Sequence, residues 1–188
     1  MSNLPRPRNR SRELDIVLWG ATGYTGQLVA DYLARNYLGG ESRLRLALAG
    51  RNEEKVRRVA ADIGHPDLPV LVGDSFDVAS LDAMASRAEV VISTVGPYAK
   101  YGAELVGACA RNGTDYCDLT GETQFVRAMI DQYEAEAKRT GARIVHCCGY
   151  DSIPSDLGTL MVQDAFKEQY GRYANTVKMA AVDMRGAF

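Results

Sequence analysis

The sequence is poor in the residues that secreted, metal-binding and membrane-spanning proteins need. Its 188 residues include four cysteines and two histidines, and no Cys-x-x-Cys pair occurs. Cys147 and Cys148 are adjacent, which is poor geometry for a structural disulfide. The sequence therefore predicts free thiols in a reducing, cytoplasmic compartment, and no metal site. The longest apolar runs have the length of a strand, so no transmembrane helix is predicted.

Neither sign of charge dominates the chain, because it has 22 Lys and Arg residues and 24 Asp and Glu residues, which give a net charge of −2. Such a chain has no basic field to attract nucleic acid, and no nucleic-acid partner is expected. A content of 46% hydrophobic and 24% charged residues excludes a disordered or collagenous protein. The length allows one domain and part of another.

Several catalytic motifs are also absent. None of the ten tyrosines is followed four residues later by lysine, the pair that short-chain reductases use to donate a proton. The sequence has neither a G-x-S-x-G nucleophile turn nor an H-E-x-x-H metal motif. These absences leave open an oxidoreductase in which the bound cofactor carries the reaction.

The N-terminus differs in composition from the rest of the chain. Residues 1–14 hold two prolines and four arginines but no apolar stretch, so they do not predict a secretory signal. We expect a disordered basic arm here. Peripheral contact of this arm with an anionic membrane or lipid surface is the open alternative.

From residue 15 onward, short apolar runs alternate with amphipathic stretches. The predicted strands are the runs at 16–19, 46–49, 70–72, 90–92, 116–119 and 144–147. Helical spacing joins them; for example, Leu28, Val29, Tyr32 and Leu33 share one face of the first predicted helix. Strand–helix alternation with nearly continuous apolar strands predicts an α/β fold. We expect a doubly wound parallel sheet of the Rossmann type over residues 15–154.

The first predicted strand runs directly into a glycine-rich loop with the spacing G-x-x-G-x-x-G. Its glycines would let the backbone approach a pyrophosphate, and the following helix would aim its N–H groups at the phosphates. A position between a strand and an amphipathic helix is the context that this interpretation requires. The alternative is a tight turn without a ligand. The candidate cofactor contacts are Gly20, Thr22, Gly23, Tyr24, Thr25 and Gly26.

The second predicted strand ends at Gly50-Arg51-Asn52. A site for NAD would place an acidic residue near this point to hold the ribose hydroxyls, and none is there. A guanidinium suits a 2′-phosphate, so Arg51 and Asn52 predict NADP(H) as the cofactor. Arg51 as a plain surface charge is the alternative.

Ligands of such sheets lie outside the carboxyl ends of the strands. The further cofactor contacts expected there are Asp74 at the adenine, Val95, Gly96 and Pro97 below the nicotinamide, and Gly149, Asp151 and Ser152 covering it. Asp118, Glu122 and Asp151 are candidate catalytic acids or bases. Capping of helices and strand ends is the competing explanation for these carboxylates.

After residue 154 the pattern changes. A helix is expected near 155–170, followed by strand character at 177–184 with no partner left in the sequence. Residues 155–188 are therefore interpreted as a linker helix and the first strand of an incomplete second, α+β domain.

Five motifs in order resemble the saccharopine dehydrogenase-like oxidoreductase family, in the branch of the mycobacterial trans-acting enoyl reductases. They lie at residues 15–26, 49–51, 94–98, 114–122 and 149–158. The resemblance implies an NADP-binding Rossmann domain followed by a substrate and dimerisation domain, and hence a homodimer at full length. It also implies reduction of a carbon–carbon double bond on a lipid or polyketide intermediate, and association with a lipid surface.

Two other functions stay open at this point. One is a cofactor sensor or interaction module that binds NADP and catalyses nothing. The other is a saccharopine or amino-acid dehydrogenase. The sequence identifies neither the substrate nor a firm catalytic residue.

Overall fold

A computed structural model describes residues 12–39 and 44–182 of the chain. In that part, six parallel strands form one sheet in the order β3-β2-β1-β4-β5-β6. The strands are β1 (Leu14–Trp19), β2 (Leu46–Gly50), β3 (Val70–Val72), β4 (Ala88–Ser93), β5 (Asp115–Asp118) and β6 (Ile144–Val145). The helices are α1 (Tyr24–Tyr37), α2 (Glu53–Asp62), α3 (Val78–Ala85), α4 (Tyr98–Tyr101), α5 (Ala103–Asn112), α6 (Thr123–Thr140) and α7 (Ile153–Tyr170). The predicted doubly wound α/β fold is confirmed.

The strand order reverses between β1 and β4. Strand β1 pairs with β2 on one side and with β4 on the other, with Ile16 opposite Leu46 and Val90. The chain thus winds outward from the centre of the sheet in both directions. In open α/β sheets the ligand crevice opens at this switch point, above the carboxyl ends of β1 and β4.

Both faces of the sheet are buried, as the nearly continuous apolar strands predict. One core contains Trp19, Val91 and Tyr116 beneath α3, α5 and α6. The other contains Leu18 and Leu48 beneath α1 and α2. Because successive residues of a strand point to opposite faces, Leu18 and Trp19 belong to different cores.

The buried face of α1 differs from the predicted one. Gly26, Ala30, Leu33 and Ala34 face the sheet, whereas Leu28 and Tyr32 are 55% and 58% exposed. Small residues let the helix backbone lie close to the sheet, so the helix turns this side inward and its larger side chains outward.

The predicted disordered arm is wrong for its last residues. Residues 1–11 lie outside the described part, but residues 12 and 13 are described and β1 already begins at Leu14, which is buried.

Arg12 fastens the start of β1 to the body of the domain. Its guanidinium donates hydrogen bonds to the carbonyls of Ala85, Ala88 and Asn112 and to the hydroxyl of Thr114. Ala85 and Asn112 are the last residues of α3 and α5. A cation at these ends is favourable because unpaired carbonyls give a helix C-terminus partial negative charge.

The chain beyond β6 packs loosely. No residue of α7 is buried, and residues 171–182 contain neither helix nor strand. The strand predicted at 177–184 is therefore wrong over residues 177–182, because no neighbouring strand pairs with this segment; residues 183 and 184 lie outside the described part. No helix among the described residues is long and apolar enough to cross a membrane.

We expect Arg12→Met to lower the free energy of unfolding by about 1.5–3 kcal/mol, because several carbonyls lose a charged donor in a half-buried site. Urea denaturation measures this change. Arg58→Met is the matched control, since its side chain on α2 is 69% exposed in its ion pair with Glu54. An equal loss of unfolding free energy in the two variants would contradict the anchoring role of Arg12.

Candidate functional site

The glycine loop after β1 is tightly packed. Gly20 has φ +89°, and a Cβ on it would lie 2.5 Å from Val95 Cγ2. A Cβ on Gly26 would lie 2.1 Å from the Gly20 carbonyl oxygen. Gly20 is therefore required by its backbone conformation, and Gly26 by the close approach of α1 to the loop.

Gly23 has no such internal reason to be glycine. Its φ of −74° and ψ of 163° suit any residue, and a Cβ there would make only an ordinary contact of 3.5 Å with the Gly20 carbonyl. Gly23 is exposed and lines a cavity. Its missing side chain leaves room for a group from outside the protein.

The start of α1 is open to an anion. No side chain caps this helix in the described structure, a feature that it shares with α5, α6 and α7, whereas Asn52 caps α2 and Asp77 caps α3. The first N–H groups of a helix lack partners within the helix and carry partial positive charge. Together with Gly23, this end of α1 fits the phosphates of a nucleotide.

A cavity of about 230 Å³ lies at the switch point of the sheet. It is lined by Trp19, Gly20, Thr22, Gly23, Gly50, Arg51, Ser75, Thr94, Val95 and Gly96. Of the predicted cofactor contacts, the structure thus brings together Gly20, Thr22, Gly23, Arg51, Val95 and Gly96. Tyr24, Thr25 and Gly26 continue from the loop into α1, where the Tyr24 side chain is 83% exposed.

Sequence reasoning missed three lining residues as cofactor contacts, Trp19, Gly50 and Ser75. Thr94 holds the loop together, because its hydroxyl lies 3.2 Å from the carbonyl oxygens of Trp19 and Gly20 and donates to them. Each of the three missed residues follows or ends a predicted strand. Because ligands of parallel sheets bind at the carboxyl ends of the strands, the position of these residues at predicted strand ends was the signal available in the sequence.

Arg51 is exposed at the mouth of this cavity and makes no ion pair or hydrogen bond within the described residues. Each of the other described arginines has a carboxylate, carbonyl or aromatic partner. Glu53 and Glu54, the nearest acids in sequence, pair with Arg57 and Arg58. The positive charge of Arg51 is therefore available to a ligand.

Three predicted cofactor contacts near this edge have local roles. The Asn52 side chain accepts from the Lys55 N–H at 2.9 Å and so caps α2. One Asp74 oxygen accepts from the Phe76 N–H at 2.9 Å in a turn. Pro97 follows a cis peptide bond and begins α4. None of the three lines the cavity.

No residue of the loop after β6 lines this cavity. A Cβ on Gly149 would lie 2.7 Å from Leu119 Cβ, so this glycine serves contact between two loops. Asp151 and Ser152 line a separate cavity of about 730 Å³ beside α7. None of these three residues lines the cavity at the glycine loop.

Asp118 is buried and holds two strand ends together. Its carboxylate accepts from the Tyr116 hydroxyl at 3.0 Å, and the His146 Nδ1 lies 2.7 Å away. It also accepts from the N–H groups of Thr120 and Cys147, each at 3.1 Å. Both carboxylate oxygens of Asp118 are thus engaged by groups at the ends of β5 and β6.

Glu122 also has a structural role. Its two carboxylate oxygens accept from the N–H groups of Tyr98 and Ala99 at 2.6 and 2.8 Å. The side chain therefore caps α4 from another loop. No hydrogen bond joins Glu122 to Asp118 in the described structure.

The described cysteines are all free thiols. Burial raises the pKa of the Cys117 thiol to about 11, and burial also raises the pKa of Cys148. A raised pKa keeps a thiol protonated and unreactive near neutral pH. Among the described residues, no group of three or more His, Cys, Asp or Glu side chains could hold a metal ion.

Three features define a dinucleotide-binding Rossmann domain. They are the uncapped start of α1, the space left by the missing side chain of Gly23, and the cavity at the switch point of the sheet. Residues 16–145 match the family model described as the saccharopine dehydrogenase NADP binding domain. The match covers more than half of the chain, and the chain therefore belongs to this family.

Curated relatives come from mycobacteria. A Mycobacterium tuberculosis protein provisionally named a trans-acting enoyl reductase is 48% identical over 179 residues, which are 94% of this chain and 42% of the relative. A Mycobacterium leprae protein named trans-acting enoyl reductase is 54% identical over 148 residues, 78% of this chain and 34% of the relative. The chain thus spans less than half of the length of these relatives.

Among solved structures, apo saccharopine dehydrogenase (L-Glu forming) from Saccharomyces cerevisiae aligns with a TM-score of 0.65 at 22% identity. The alignment covers 82% of this chain and 32% of that protein. At this identity the likeness shows the fold.

We expect Gly23→Val to abolish dinucleotide binding while the domain stays folded, because the new side chain fills the space left for the phosphates. Calorimetric titration with NADPH measures binding, and circular dichroism with thermal unfolding checks the fold of the same sample. Gly39→Val is the control, since Gly39 follows the far end of α1 and a Cβ there meets nothing within 4 Å. Unchanged binding by the Gly23 variant would remove the phosphate-loop interpretation.

Proposed function

We propose that this domain binds NADP(H) in preference to NAD(H), with Arg51 as the contact to the 2′-phosphate. The observation that carries the proposal is the unpaired guanidinium at the end of β2, in a cavity whose lining contains no acidic residue. An NAD site would hold a carboxylate at this point for the ribose hydroxyls. A planar, permanently charged guanidinium matches a phosphate better than it matches two hydroxyls.

We expect Arg51→Ala to weaken NADPH binding by roughly 10- to 150-fold, the effect of losing one charge-assisted hydrogen bond. NADH binding should barely change, because NADH lacks the 2′-phosphate. Calorimetry with each cofactor gives the two dissociation constants. Arg58→Ala, one turn along α2, is the matched control and should leave both unchanged. Equal losses for the two cofactors would contradict the 2′-phosphate role.

We further propose that the protein reduces a carbon–carbon double bond of an acyl or lipid-linked substrate. The names of the mycobacterial relatives support this reaction class. When bound, NADPH supplies the hydride. The residues of this chain would hold the cofactor: the N–H groups of α1 and the Gly23 gap take the phosphates, and Arg51 takes the 2′-phosphate.

The switch-point cavity is the proposed site of the cofactor. Among its lining residues there is no carboxyl or imidazole group that could donate a proton. Its polar side chains are Trp19, Thr22, Arg51, Ser75 and Thr94. The candidate acids Asp118 and Glu122 are engaged in structural hydrogen bonds. We therefore propose that a further domain supplies the substrate-binding wall and the proton donor.

The test is NADPH oxidation with a panel of enoyl thioesters. It compares this chain with a chimera that continues into the C-terminal part of the Mycobacterium leprae relative. We expect the chimera to oxidise NADPH with an enoyl substrate and the chain alone to bind NADPH without turnover, because positioning of the substrate contributes up to about 7–11 kcal/mol.

Three results would argue against this proposal. Equal rates for chain and chimera would mean that the short chain is itself the enzyme. Turnover with a 2-oxo acid and an amino acid, but not with enoyl thioesters, would indicate an amino-acid dehydrogenase. Tight NADPH binding without turnover by either protein would favour a cofactor-binding module.

A further inference from the structure

A further cavity, of about 280 Å³, lies at the β6 edge of the sheet between this strand, α5 and α6. β6 is the last strand of the described sheet, so no other described strand closes this side. The volume is near the lower end of the range of small-molecule sites, roughly 300–1,000 Å³. The cavity shares no lining residue with the switch-point cavity. Its apolar lining consists of Val106, Met129, Ile130, Ala137, Ala142 and Ile144.

Most polar side chains that line this cavity already have partners. Glu134 and Lys138 form an ion pair with each other at 2.8 Å, and both side chains are more than half exposed. The Tyr133 hydroxyl accepts from Gln132 Nε2 at 3.0 Å. The remaining polar side chain of the lining is His146.

One ring nitrogen of His146 is engaged and the other is free. Nδ1 lies 2.7 Å from Asp118 Oδ2. The Asp118 carboxylate also accepts from the Tyr116 hydroxyl and from the N–H groups of Thr120 and Cys147. Because this carboxylate acts as an acceptor, we assign the proton of the contact to Nδ1. Nε2 makes no hydrogen bond within the described residues.

The free nitrogen is accessible. Trp19 Nε1 and Glu89 Oε1 are the fully buried side-chain nitrogen and oxygen atoms without a partner in the described structure, and His146 Nε2 is not one of them. The His146 side chain as a whole is only 8% exposed. Its ring makes edge contacts with the rings of Tyr116 and Phe125, at 5.8 and 5.5 Å between centroids.

The neighbours of the His146 ring leave its free nitrogen toward the cavity. Asp118, Tyr116 and Phe125 surround the ring, and none of these three lines the cavity, whereas His146 does. The cavity therefore combines an apolar wall with a single unpaired, nearly buried polar group. Such a group calls for a hydrogen-bonding partner.

We propose that this cavity binds an aliphatic carboxylic acid, with the chain in the apolar lining and the carboxyl group on His146 Nε2. A carboxyl group suits this nitrogen in either state of the imidazole. A neutral ring accepts at Nε2 from the undissociated acid, and a protonated ring donates from Nε2 to the carboxylate. The site is separate from the switch-point cavity, so it goes beyond the proposed function and does not depend on NADP(H) binding.

The chain has two histidines, His65 and His146, which makes a direct test possible. A ¹⁵N-labelled sample gives one set of imidazole signals for each. We expect octanoate to shift the Nε2 signal of His146 and to leave the signals of His65 in place, because His65 does not line this cavity. Acetate at the same concentration should shift neither set, since it has the carboxyl group without the chain.

Two variants provide the second measurement. His146→Asn keeps an N–H that can donate to Asp118 but has no group in place of Nε2, and we expect roughly 10- to 150-fold weaker octanoate binding by calorimetry. Ala142→Leu should also weaken binding, because it puts a larger side chain into the lining. Ala135→Leu is the matched control, since Ala135 is exposed on α6 and does not line the cavity. Circular dichroism checks the fold of each variant.

Several results would overturn this site. They are no octanoate binding to the parent chain, a shift of the His65 signals instead of those of His146, and binding by His146→Asn that equals the parent's. Binding by the chain but not by the chimera described above would mean that a further domain fills the cavity, which also overturns it. Should the variants fail to fold, the His146 signals of the parent chain decide.

The proposed function fails separately from this site. NADPH titration of the same samples tests the switch-point cavity. Loss of NADPH binding with octanoate binding intact would contradict the proposed function and support the second site.

Discussion

The contact between Gly26 of α1 and the Gly20 carbonyl governs the geometry of the site. Because no Cβ separates them, the first turn of α1 lies directly against the loop that follows β1. The same approach turns the small residues of α1 toward the sheet, which leaves Leu28 and Tyr32 outside. A Cβ at Gly26 would push the helix away from the glycine loop.

A second constraint organises the other half of the sheet. Asp118 joins the ends of β5 and β6 through three donors and a contact with His146 Nδ1, and Glu122 joins the loop after β5 to the start of α4. The two carboxylates hold neighbouring loops in fixed positions beside the crevice. Buried networks of this kind stabilise one arrangement because an unpaired member would be costly. These two acids thus fix the loops at this edge of the sheet.

The periodicity of hydrophobic residues sufficed to predict the parallel sheet and its helices, because buried strands and amphipathic helices leave strong patterns in a sequence. The glycine loop and Arg51 could be predicted for the same reason, because their chemistry depends on residue type and on distance from a strand. The roles of Asp118 and Glu122 could not, because their partners Tyr116, His146 and Tyr98 meet them only through the tertiary fold. Trp19 was missed because its indole ring fits the pattern of a core residue, and only the structure shows its unpaired nitrogen.

The position of β1 at the centre of the sheet has a consequence during synthesis. Strand β1 is made before the other described strands, and its second neighbour β4 follows only after β2, β3 and three helices. Until then one edge of β1 is unpaired, and its apolar residues Val17, Leu18 and Trp19 are incompletely covered. Such edges are prone to pair with other chains. The interval before β4 emerges is therefore the stage at which a nascent chain most needs protection by a chaperone.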